Sequence, residues 1–132
     1  MEFAKWNVPV IALHRRSVEL AELAYKPSQG GLVLVLVEEE FGRVWNAHFK
    51  MVQALKLVTW ECGAHTLSTA PEGGFFEITG SPLLEELRPD LHKFLGNSRH
   101  FVVCTYDDIV HVVAWSCEFV LVETSAPDQR SS

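Results

Sequence analysis

Residues 100 to 117 read HFVVCTYDDIVHVVAWSC, and within eight of them lie Cys104, Asp107, Asp108 and His111. These supply a thiol, two carboxylates and an imidazole. A histidine beside a cysteine holds it as thiolate, the nucleophilic form, which is the chemistry of a small thiol-dependent enzyme. A two-residue turn at Asp107-Asp108 sets Cys104 opposite His111, Val102 opposite Val113 and His100 opposite Trp115, with opposed Cβ atoms about 5 Å apart. The flanks argue the other way. Phe101, Val103, Val110 and Val112 make the second face apolar too, and a cysteine in such a strand ordinarily acts as a small hydrophobe. Asp-Asp lacks the glycine that a type I′ turn prefers, and a one-residue slip separates the thiol from the imidazole. The aspartates read as turn residues. No catalytic residue is assigned, and Cys104 with His111 stand as the candidate pair.

A second constellation is Cys62-Gly63-Ala64-His65. Two such ligands three residues apart can chelate zinc, but zinc asks for four in a tetrahedron and the sequence offers no second close pair. No metal is assigned, with Cys62 and His65 as the candidate ligands. The acidic run Glu38, Glu39 and Glu40 reads as a solvated loop and a rim for binding. Asn46, His48 and Lys50 share the polar face of one strand and complete the candidate binding set. Phosphate loops, H-E-x-x-H, G-x-S-x-G and C-x-x-C are all missing, so no cofactor is expected.

The bulk composition narrows the partners. The 132 residues are 48% hydrophobic and 21% charged, with a formal net charge of −6. Eleven basic residues are scattered singly apart from Arg15-Arg16, whereas nucleic-acid binding needs clustered cations to displace counterions. A basic protein partner or a neutral small ligand suits this field better. The N-terminus lacks the order of a signal peptide, and the longest aliphatic run, Leu32 to Val37, falls far short of the roughly 20 residues that span a bilayer. Three widely spaced cysteines make no disulfide framework. The expectation is a cytoplasmic protein with reduced thiols and no membrane association.

Strands must position these groups. VELAELAY (18–25) has helical propensity, but KPSQGG follows as a hairpin loop before the aliphatic Leu32–Val37, which reads as a central strand covered on both faces. RVWNAHFKM (43–51) alternates, with Trp45, Ala47, Phe49 and Met51 on one face. The apolar face changes near residue 53, which predicts a bulge, and a helix over 44–56 is the alternative. Residues 61–74 read as a polar loop and 75–79 as a short strand. Ser81 as N-cap and Pro82 at the first helical position open a helix that Pro89 kinks, or a helix pair, over 82–95. KWNVPVIAL near the N-terminus fits either an edge strand or a docking surface, and the four tryptophans read as packing residues.

Together these predict one α+β domain over 1–123 and a flexible tail over 124–132. Its core is a single, strongly twisted antiparallel sheet of six or seven strands, open or half-closed as a barrel, packed on the 82–95 segment. The function expected first is a non-catalytic protein-interaction module with an acidic surface, able to homodimerise through an edge strand. The alternatives are the Cys104/His111 enzyme and the Cys62/His65 metal site.

Overall fold

A computed structural model describes residues 1–12, 14, 16–29, 31–71, 73–87 and 96–124. Alternation decides the first long segments. In β3 (Gly31–Glu38), Leu32, Leu34 and Leu36 are buried, while Val33, Val35 and Val37 stay half-buried. The aliphatic run therefore has one core face and is not covered on both. β2 (Val18–Lys26) pairs antiparallel with it, so the helical propensity of VELAELAY yields to cross-strand pairing. β4 (Arg43–Lys50) turns Trp45, Ala47 and Phe49 inward, and Met51 leaves the strand, exposed, at φ 54°. The β2–β3 turn approaches β4 so closely that a Cβ on Gly31 (φ +116°) would lie 2.5 Å from the Phe49 carbonyl oxygen. Only glycine fits there.

The described residues form two antiparallel sheets with nine strands, where the sequence pattern predicted one sheet of six or seven. The four-stranded sheet runs β2-β3-β4-β9, with β9 spanning Ser116–Thr124. The five-stranded sheet runs β1 (Glu2–Lys5), β6 (Phe75–Thr79), β7 (Arg99–Cys104), β8 (Asp108–Ala114) and β5 (Ala54–Thr59). Neither closes into a barrel. The change of face near residue 53 is a corner between the sheets, where β4 passes into β5 and β8 into β9. The two strands turn it together, because Gln53 N–H donates to Val113 O (2.8 Å) and Trp115 N–H donates to Lys50 O (3.0 Å).

The reason for two sheets is apolar area. The leucine face of β3 and the Phe101, Val103, Val110 and Val112 face of β7 and β8 each need a flat cover, and each covers the other. Trp6 closes this core, its ring 4.7 Å from Phe101, 5.4 Å from Phe119 and 6.2 Å from Phe49 between centroids. Within the KWNVPVIAL segment Val10 is buried and Trp6, Val8 and Ala12 pack against this core, while Asn7, Pro9 and Ile11 stay exposed. Fully burying a phenylalanine such as Phe49 or Phe101 contributes about 2–3 kcal/mol relative to leaving it exposed.

A second, smaller core lies on the opposite face of the five-stranded sheet, made by Phe76, Ile78, Val102, Cys104, Ile109 and Leu67. Leu67 comes from 60–67, which folds as the single turn α1 (Trp60–Gly63) and a 3₁₀ turn Ala64–Leu67, not as the polar loop expected. Helix α2 begins at 82 and is described to 87; the remainder of the expected 82–95 segment lies outside the described residues. So does the expected tail beyond Thr124, the last residue of β9.

Candidate functional site

The 100–117 hairpin turns one residue earlier than Asp107-Asp108 would place it. Thr105 N–H donates to Asp108 O (2.8 Å), and the Thr105 hydroxyl accepts from Asp108 N–H (3.3 Å), so the turn residues are Tyr106 and Asp107. Cys104 therefore faces Ile109, and His111 faces Val102. Moving the turn by one residue displaces each pairing by two, which keeps both side chains on one face but ends their direct opposition. Cys104 is fully buried in the smaller core. The Asp107 carbonyl accepts from Trp60 N–H (2.8 Å) at the start of α1. Arg16 holds the tip, donating to Tyr106 O (2.6 Å) and lying over the rings of Tyr106 and Trp60.

His111 has a different neighbour. Its Nδ1 lies 2.9 Å from His100 Nε2, and His100 Nδ1 lies 2.6 Å from Ser81 Oγ, which also accepts from Leu84 N–H at 3.2 Å. Pairing of Ile78 with His100 across β6 and β7 brings the chain leaving β6 over the imidazole. The N-cap serine of α2 thereby does a second job. Ser81 and His100 are buried, at 2% and 4% exposure. Burial, the neighbouring His111 and the nearby Lys56 push His100 down to about 4. Burial and then Lys56 also lower His111. Both rings are neutral at pH 7, so each carries one N–H.

Neutral rings permit two orders of donation. In the first, Ser81 O–H donates to His100 Nδ1, His100 Nε2–H donates to His111 Nδ1, and His111 Nε2–H faces outward. In the second every bond reverses, and the buried Ser81 hydroxyl proton has no acceptor among the described residues. An unsatisfied buried donor costs about 1–3 kcal/mol, so the first order prevails. His111 Nε2, free of partners among the described residues, then offers a hydrogen to the space outside.

That space is a cavity of about 570 Å³ between the outer face of the five-stranded sheet and the helical segments. Phe3, Val58, Leu67, Ile78 and Leu83 give it apolar walls; Lys56, Cys62, His65, Thr66, Glu86, His100 and His111 supply polar side chains, and Met1 brings the α-amino group to its edge. Cys62 and His65 thus come together at the cavity, Cys62 being exposed. Among the described residues no group of three or more His, Cys, Asp or Glu is placed to hold a metal ion.

The acidic run divides. Glu38 is fully buried, its carboxylate paired with the Arg43 guanidinium (Nη2 to Oε2, 2.8 Å) and accepting from Ile11 N–H (2.6 Å). It ties the N-terminal segment to the β3–β4 turn and leaves Glu39 and Glu40 alone in solvent. Asn46 and His48 lie half-buried on the face of β4 turned away from the core, and exposed Lys50 sits 3.8 Å from Glu118.

The serine and His100 escaped the sequence pattern as a site, although Ser81 was legible as an N-cap. A histidine directly before FVV on a core strand was the available signal. Among the described residues no helix is long and apolar enough to cross a membrane. Compared with protein-family models, curated proteins and solved structures, the chain matches none of them.

Proposed function

We propose that this protein is a non-catalytic binding module that takes a small, largely apolar molecule into the cavity beneath α1 and α2. One observation carries the reading: a buried chain from Ser81 through His100 to His111 ends at a cavity with apolar walls. Its volume lies within the range of small-molecule sites, and a few placed polar groups in an apolar wall are their usual composition. Polar groups buried in a sheet otherwise filled by valine and phenylalanine cost desolvation, and the orientation of His111 toward the cavity gives that cost a use. Cys62 stands at the same cavity, while Cys104 packs in the core below. A thiol enzyme built on Cys104 and His111 is therefore not the reading favoured.

The test is a ¹³C-methyl NMR titration of the full chain with decanol and with naphthalene-type probes. Shifts confined to Val58, Leu67, Ile78 and Leu83 support the reading. Saturating probe that leaves those methyls unmoved would refute it.

β9 favours a second reading, homodimerisation. It is an edge strand of the four-stranded sheet, and Val120, Leu121 and Val122 are all exposed. Among the described residues no strand pairs with this edge, and an unpaired apolar edge invites another strand. Pairing of two β9 strands about a twofold axis would cover both. Light scattering should give a dimer that Leu121→Lys converts to monomer; a monomer at all concentrations would end this reading.

A further inference from the structure

We infer that the cavity selects a singly charged carboxylate head on an apolar body, bound between His111 Nε2–H and the Lys56 ammonium; this rests on the cavity being a ligand site. Three observations lead there. The order of donation from Ser81 through His100 leaves His111 with a hydrogen facing outward, so the group it meets must accept. Lys56 is the direct cross-strand neighbour of His111, on the same sheet face, and carries the cationic charge of that wall. The one acidic residue among the described residues that line the cavity, Glu86, belongs to α2 rather than to the sheet. The head group therefore lies against β5 and β8, and its apolar remainder extends toward Phe3, Leu67 and Ile78.

Head chemistry follows from the donors. A carboxylate has two oxygens, one for the imidazole N–H and one for the ammonium, and a charge-assisted bond to each is stronger than a neutral one. A primary ammonium has no acceptor to offer and meets Lys56 as a like charge. An alcohol can accept from His111 but leaves the lysine unanswered. The other amino group lining the cavity, that of Met1, lies beside β1 at the far edge of the sheet from β5, so a phosphate monoester brings a second charge with no partner beside Lys56.

The experiment compares decanoate, decanol, decylamine and decyl phosphate, each below its micelle concentration, by calorimetry and by methyl shifts in the full chain. Decanoate should bind at least about tenfold more tightly than decanol or decyl phosphate, and decylamine most weakly. Lys56→Gln, a change at an exposed residue, should remove most of the preference for decanoate over decanol. Equal binding of decanoate and decanol, or tighter binding of decylamine or decyl phosphate, overturns the inference while leaving the cavity a ligand site. Failure of all four compounds to move the cavity methyls overturns both together.

Discussion

Ser81→Ala removes one oxygen that serves two partners, and its cost follows from their geometry. As N-cap, the hydroxyl accepts from Leu84 N–H at 3.2 Å, and replacing a serine cap by alanine costs about 1 kcal/mol. As donor to His100 it completes the pairing of a buried imidazole, and leaving that nitrogen unpaired costs about 2 kcal/mol. The histidines cannot escape by reversing, because His100 Nδ1 then carries a hydrogen aimed at a methyl group. The total, about 3 kcal/mol, is a large share of the roughly 5–15 kcal/mol of a typical domain. With a urea slope near 2 kcal/mol per molar, the unfolding midpoint should fall by about 1.5 M. Ser81→Gly separates the two roles, since glycine caps within a few tenths of a kcal/mol of serine; it should lose about 2 kcal/mol and no more. Both variants also bring the two orders of donation close in energy, and the ¹⁵N shifts of His111 should move from an Nε2–H tautomer toward a mixture. Wild-type midpoints within about 0.3 M for Ser81→Ala, with unchanged His111 shifts, would show that no such chain exists.

Acidity gives a second check. The folded protein holds His100 at about 4 against an ordinary 6.5, so the unfolded chain binds the proton more readily between those values. The stability contribution is therefore complete above pH 6.5 and is lost as pH falls toward 4, to the extent of about 3 kcal/mol; an NMR titration of His100 with a midpoint above 6 would contradict this. Glu38→Ala should cost more in urea unfolding than Glu39→Ala and Glu40→Ala combined, because it strips Arg43 and the Ile11 amide of a buried partner. Equal, small effects at all three positions would return Glu38 to the solvent. Iodoacetamide at pH 8 should label Cys62 in the folded protein and spare Cys104 and Cys117. Cys104 is buried, and burial followed by the charge of Glu118 pushes the Cys117 thiol up. Mass spectrometry showing Cys104 modified first would revive the thiol-enzyme alternative.

Much of the local structure was legible. Period-two alternation in RVWNAHFKM made β4 a strand, and the glycines and proline of KPSQGG set the β2–β3 hairpin against the helical propensity of VELAELAY. Ser81 and Pro82 marked the start of α2. Each of these signals lies within a few residues of its consequence. The register of the 104–109 hairpin was not legible, because a single hydroxyl, Thr105 Oγ1, moved the turn by one residue. Residues 61–67 looked like loop because all of them but Leu67 are small or polar, yet Leu67 is fully buried over the sheet.

Composition and spacing alone determined that this chain is built mainly of antiparallel strands, where its chief turns fall and where one helix starts, since steric and hydrogen-bonding preferences of the backbone act over short separations. Only tertiary structure decided that there are two sheets, that Glu38 is buried while Glu39 is not, and that Ser81 meets His100. Such outcomes depend on which apolar faces cover one another. That choice is made by the total area removed from water across strands dozens of residues apart, and no local pattern records it.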